Sequence, residues 1–122
     1  MARLSKPAFL RNCAIVTPDS AAERLTDLDS EFVRDAYRAH GALLFRGFPL
    51  DLDAFRATID AHCTHPVIND SGGRRTVDAG SAIQTVNLGG EHFMQHPDLS
   101  REPWRPDVCW FGAMPSRYGL NS

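Results

Sequence analysis

The sequence predicts an α+β chain in which two helices pack on a sheet. Two stretches, 30–40 and 51–63, repeat apolar residues at helical spacing. Three apolar runs, Ala42–Phe45, Ala82–Leu88 and Val108–Ala113, are short and bounded by glycine or proline, as strands are. A length of 122 residues leaves room for one domain, 1–122, with one modest core.

Taken in order, residues 1–10 read as a flexible arm. Ala14-Ile15-Val16 is a brief strand stopped by Thr17-Pro18-Asp19. Residues 19–29 are a polar connection with room for one helical turn. Ser30 to His40 is the first helix: Asp29 or Ser30 caps it, and Glu31 and Asp35 lie toward its positive end. Phe32, Val33, Ala36 and Tyr37 share its apolar face, and Gly41 is placed to end it. Ala42–Phe45 is predicted to be a buried strand, ended by Arg46-Gly47-Phe48-Pro49. Asp51 caps a second helix that runs to about Cys63, with Leu52, Phe55 and Ile59 as its stripe. Residues 64–80 lose periodicity and read as a loop centred on Asn69–Arg75. Ala82–Leu88 alternates as a strand does, Gly89-Gly90 breaks it, and Val108–Ala113 is the last apolar strand.

Composition excludes several classes. The net charge is −2 and no long basic run is present, so neither nucleic acid nor an anionic membrane surface is an expected partner. The longest apolar runs fall far short of a membrane span, and the N-terminus lacks the apolar core of a secretory signal. Cys13, Cys63 and Cys109 are odd in number and lie in no metal or redox motif. They read as reduced thiols, and the expected location is cytoplasmic.

The chemistry centres on Gln95-His96-Pro97-Asp98. In extended backbone, residues two apart face the same way, so His96 and Asp98 would present an imidazole and a carboxylate together. With a second histidine from elsewhere, such a pair makes the 2-His-1-carboxylate triad of non-haem Fe(II) oxygenases. Taken alone, an H-x-D match is far more often a surface turn, since proline and aspartate are turn residues. His92 and His96 also have the H-x-x-x-H spacing of zinc proteases. Phe93 stands where those enzymes need glutamate, and Gly89-Gly90 and Pro97 argue against a helix there.

What surrounds the pair favours the metal reading. An apolar strand leads into Arg46-Gly47-Phe48, and a helix, a loop and a strand follow. The H-x-D comes next, and then Arg105-Pro106-Asp107 runs into Val108-Cys109-Trp110-Phe111. That order resembles the N-terminal half of the taurine dioxygenase (TauD/TfdA-like) family of Fe(II)- and 2-oxoglutarate-dependent dioxygenases, from about Ala14 to Ser122. The resemblance implies the N-terminal part of a double-stranded β-helix (jelly roll), an incomplete one. It implies Fe(II) as cofactor, 2-oxoglutarate as co-substrate and a small-molecule substrate that is hydroxylated. His96 and Asp98 then match the first two iron ligands. Tyr118-Gly119-Leu120-Asn121-Ser122 resembles the turn whose hydroxyl helps hold 2-oxoglutarate, with Ser122 in place of threonine and Leu120 in place of a glycine. His92 and Asn87 fall in the region that faces substrate. Arg74-Arg75 has the chemistry to clamp an anionic substrate, although a solvated arginine pair is the commoner arrangement.

The sequence departs from the family at its end. The five histidines are His40, His62, His65, His92 and His96, so none follows Asp98. The second histidine and the arginine that pairs with the co-substrate lie downstream in the family, and a jelly roll takes about eight strands. The expectation is a truncated or split dioxygenase, inactive alone, that forms a homo-oligomer or takes a second chain to complete its fold. The competing expectation is a non-catalytic half-domain that binds or assembles with a partner. A third is that the H-x-D pair holds a different divalent ion in a structural role.

Overall fold

The computed structural model describes residues 2–9, 11–68, 74–86 and 107–114. Two compact units are described in turn, Met1–His62 and Cys63–Ser122.

The first unit is built on a three-stranded sheet in the order β1-β2-β3. Strand β1 (Arg3–Ser5) pairs antiparallel with β2 (Ala14–Thr17), and β2 pairs parallel with β3 (Leu43–Phe45). A parallel neighbour needs a crossover, and helix α1 (Ser30–His40) supplies it. Leu4 faces Val16, and Val16 faces Phe45, so these three side chains share one side of the sheet. The core sits there: Ala14 and Val16 are each 0 % exposed.

Helix α1 begins where the Asp29 carboxylate accepts the Glu31 N–H at 3.1 Å. It ends at Gly41, whose φ of +81° lets its N–H reach the Tyr37 carbonyl at 2.8 Å. Val33 and Ala36 are buried and the helix packs on β3, while Tyr37 stays at the rim. Helix α2 (Leu52–His62) starts from Asp51, which accepts the Ala54 N–H at 2.8 Å. It buries Phe55, Thr58 and Ile59 and packs against the 3₁₀ turn Leu25–Asp27. Thr58 lies in this stripe although it is polar. Its hydroxyl donates to the Ala54 carbonyl at 2.8 Å, so it enters the core satisfied.

The second unit holds a two-stranded antiparallel sheet, β4 (Thr76–Asp78) with β5 (Ile83–Gln84). The turn between them is closed by the Asp78 carboxylate, which accepts the Ser81 N–H at 3.1 Å, and by Ala82 at φ +53°.

Several expectations need correction. Residues 3–5, within the predicted arm, form β1, because β2 offers an unpaired edge on that side. Residues 76–78, within the predicted 64–80 loop, form β4. The strand predicted at Ala42–Phe45 is shorter and not buried: Leu44 is 40 % exposed, because it points to the face opposite the one that Val16 and Phe45 share. Ala42–Phe45 and Ala82–Leu88 were expected in one sheet, yet β3 and β5 belong to separate sheets. No strand forms at residues 107–114, where Val108–Ala113 was expected to supply one. Burial there still alternates over four residues, with Val108 and Trp110 half-buried and Cys109 and Phe111 exposed.

Candidate functional site

Asn87, His92, His96, Asp98 and Ser122 all lie outside the described residues. Their donor chemistry is a matter of residue type. An imidazole and a carboxylate are donors that a first-row divalent ion such as Fe(II) accepts, so His96 and Asp98 suit the metal the resemblance implies. Among the described residues, no three histidine, cysteine, aspartate or glutamate side chains gather to hold a metal ion.

The approach to Asn87 is described. The β4–β5 hairpin is extended by one rung in which Arg75 and Thr85 exchange bonds. The Thr85 N–H donates to the Arg75 carbonyl at 2.8 Å, and the Arg75 N–H donates to the Thr85 hydroxyl at 2.9 Å. Ser81 and Ile83 are buried beneath the turn, whereas Val86, the last described residue before Asn87, is 58 % exposed. Arg74 and Arg75, considered above as a joint clamp, lie in different surroundings. Arg75 is exposed, while Arg74 is half-buried with its Nε–H buried and unbonded.

The three described histidines are not gathered around a common point of chemistry. His40 ends α1 half-buried, with Nδ1 buried and unpartnered. His62 ends α2, and burial pulls its imidazole below the usual range, with the positive charge of Arg34 adding to the effect. His65 is exposed, with Nδ1 at 3.1 Å from the Thr64 hydroxyl. Cys13, Cys63 and Cys109 take part in no disulfide among the described residues.

One concavity escaped sequence reasoning. The turn that joins β1 to β2 forms a cleft of about 370 Å³ lined by Lys6, Pro7, Ala8, Arg11 and Asn12. An arm without structure would leave Lys6 and Arg11 unrelated. Pairing of β1 with β2 folds the intervening residues into a turn and puts both cations on one rim.

Compared with known proteins, the chain matches no family model, no curated protein and no solved structure. Among the described residues, no helix is long and apolar enough to cross a membrane.

Proposed function

We propose that this chain carries the first part of the metal site of an Fe(II)- and 2-oxoglutarate-dependent dioxygenase, with His96 and Asp98 as two ligands. The observation that carries the reading is the ordered series in the sequence: an apolar strand into Arg46-Gly47-Phe48, a helix, His96-x-Asp98, then Arg105-Pro106-Asp107 into an aromatic run. The described elements around the first of these motifs agree with it, since β3 precedes Arg46-Gly47-Phe48 and α2 follows.

Iron in such a site would supply the activation of oxygen, with 2-oxoglutarate as the reductant, for hydroxylation of a small molecule. The chain's own share is narrower. His96 offers a neutral ring nitrogen, and Asp98 offers the negative charge that holds a dication against water. Asn87 and His92 would contact substrate ahead of the metal, and the Ser122 hydroxyl would bond a co-substrate oxygen. In the family's pattern, a second histidine and an arginine that pairs with the 2-oxoglutarate carboxylate would complete the site. The second reading, a non-catalytic partner module, is favoured by the exposure of Phe9, Val86 and Phe111.

Anaerobic equilibrium dialysis with Fe(II) tests the site. The wild-type chain binds weakly, and Asp98→Ala and His96→Ala each abolish that binding, because removal of either donor leaves one ligand. Binding unchanged in both variants removes the metal site from this chain. In the same samples, 2-oxoglutarate gives no succinate until a partner chain supplies histidine and arginine. Succinate from the metal-loaded 122 residues alone would overturn the division of the site.

A further inference from the structure

The β1–β2 turn carries two cations, Lys6 and Arg11, that no carboxylate pairs with among the described residues. Residues 2–13 include Arg3, Lys6 and Arg11 and no aspartate or glutamate, in a chain whose net charge is −2. Arg3 is accounted for: its Nε–H donates to the Asp19 carboxylate at 3.1 Å. Lys6 and Arg11 have no carboxylate partner among the described residues. Both line the same cleft, whose remaining walls are Pro7, Ala8 and the Asn12 amide, so no acidic group competes for it.

The backbone supports the arrangement. Asn12 takes a left-handed φ of +54°, a conformation that asparagine tolerates better than most residues. Turns with a left-handed residue are the kind that direct backbone N–H groups into a concavity and receive anions there. The turn is anchored on both sides. Leu4 and Ser5 pair with Val16 and Ile15, and the Ala14 N–H donates to the Ala42 carbonyl at 3.0 Å. Lys6 and Arg11 therefore flank a closed turn and line one cleft. Next to the cleft, Phe9 exposes 82 % of its surface. An exposed aromatic ring beside two unpaired cations suits a phosphate carried on an apolar group.

We infer that the β1–β2 turn is a phosphate-binding site, with Lys6 and Arg11 as its charged contacts and Asn12 as its polar one. Arginine offers a planar donor fork to phosphate oxygens, and lysine a mobile point charge, so the two are complementary on a tetrahedral anion. The phosphate comes either from a soluble phosphate compound or from a lipid headgroup, against which Phe9 would rest. This site is independent of His96 and Asp98 and stands whether or not they bind a metal.

The test follows the 122-residue chain by ¹H–¹⁵N NMR as inorganic phosphate is added at constant ionic strength. Saturable shifts at residues 6–12 are expected, with an affinity on the order of millimolar, as two solvated cations supply. The double variant Lys6→Gln/Arg11→Gln weakens binding at least about tenfold, whereas Lys6→Arg and Arg11→Lys retain it. Arg38→Gln/Arg46→Gln, which removes the same charge elsewhere, leaves binding unchanged, and circular dichroism checks that every variant is folded. Parallel sedimentation with vesicles of phosphatidylcholine, with and without phosphatidic acid, separates the sources. Phosphate binding together with phosphatidic acid-dependent capture assigns the lipid headgroup, and phosphate binding without capture assigns a soluble compound. Shifts that do not saturate, or that fall equally in both double variants, overturn the site.

Discussion

His62 closes helix α2 half-buried, where water cannot fully solvate an imidazolium and the Arg34 charge opposes it further. Both causes lower its pKa from 6.5, burial being the larger. The sign follows from proton uptake. Above about pH 6.5 both the folded and unfolded chains hold neutral His62, and its contribution to stability is fully present. As pH falls below that value, the unfolded chain takes up the proton first, and stability declines until the folded pKa is passed. The urea midpoint of the wild type should therefore drop between about pH 7.5 and about pH 5.5 by more than that of His62→Gln. Equal slopes for the two proteins would remove His62 as a source of the acid sensitivity. Thr58 makes a related point about burial. It is 2 % exposed and still polar, because its own helix offers the Ala54 carbonyl as a local acceptor.

At the scale of elements, two glycines set how the strand-forming segment 42–46 is entered and left, and they differ in what a methyl group would meet. Gly41 at φ +81° would place a Cβ 3.7 Å from the Asn12 carbonyl oxygen, an ordinary contact. Gly41→Ala therefore costs the left-handed backbone term alone, about 1–2 kcal/mol. Gly47 at φ +91° would place its Cβ 3.3 Å from the Pro18 ring, a crowded contact with a stiff neighbour. Gly47→Ala should be the more destabilising of the two by chemical denaturation, and the reverse order would show that the Pro18 ring yields freely. The glycine in Arg46-Gly47-Phe48 thus has a structural reason to be there, whatever the motif does in a metal site.

For the whole molecule, large apolar side chains remain at the surface in both units. Phe9, Phe111 and Val86 are 82 %, 75 % and 58 % exposed, and Leu44 on β3 is 40 % exposed. Exposed apolar surface of this kind favours association. The isolated chain should sediment as a dimer or larger species, or as a partly molten one. A strict monomer with a sharp cooperative melt would mean that these side chains are simply tolerated in water.

The parts of the molecule that were legible in sequence are those that local physics decides. Helix α1 spans Ser30–His40, as read from an Asp29 or Ser30 cap, a Phe32, Val33, Ala36 and Tyr37 face and the Gly41 stop; Asp29 is the cap, and of that face only Val33 and Ala36 are buried. Helix α2 follows in the same way from Asp51, Phe55 and Ile59, with the buried Thr58 overlooked because its acceptor is invisible in an apolar pattern. Strands were legible where the run is apolar, as at Ala14–Thr17 and Leu43–Phe45. Arg3–Ser5 and Thr76–Asp78 are mostly polar, so no apolar run marks them, and they become strands because β2 and β5 offer edges to them. Pairing is a non-local event, so the parallel partnership of β2 with β3 and the separation of β3 from β5 were decided by tertiary structure. The candidate metal site divides along the same line. Sequence by itself determined its donor types, an imidazole and a carboxylate at His96 and Asp98, because ligand chemistry belongs to residue identity. The Lys6–Arg11 cleft was determined only by the fold, because those cations become neighbours when β1 closes on β2 and not before.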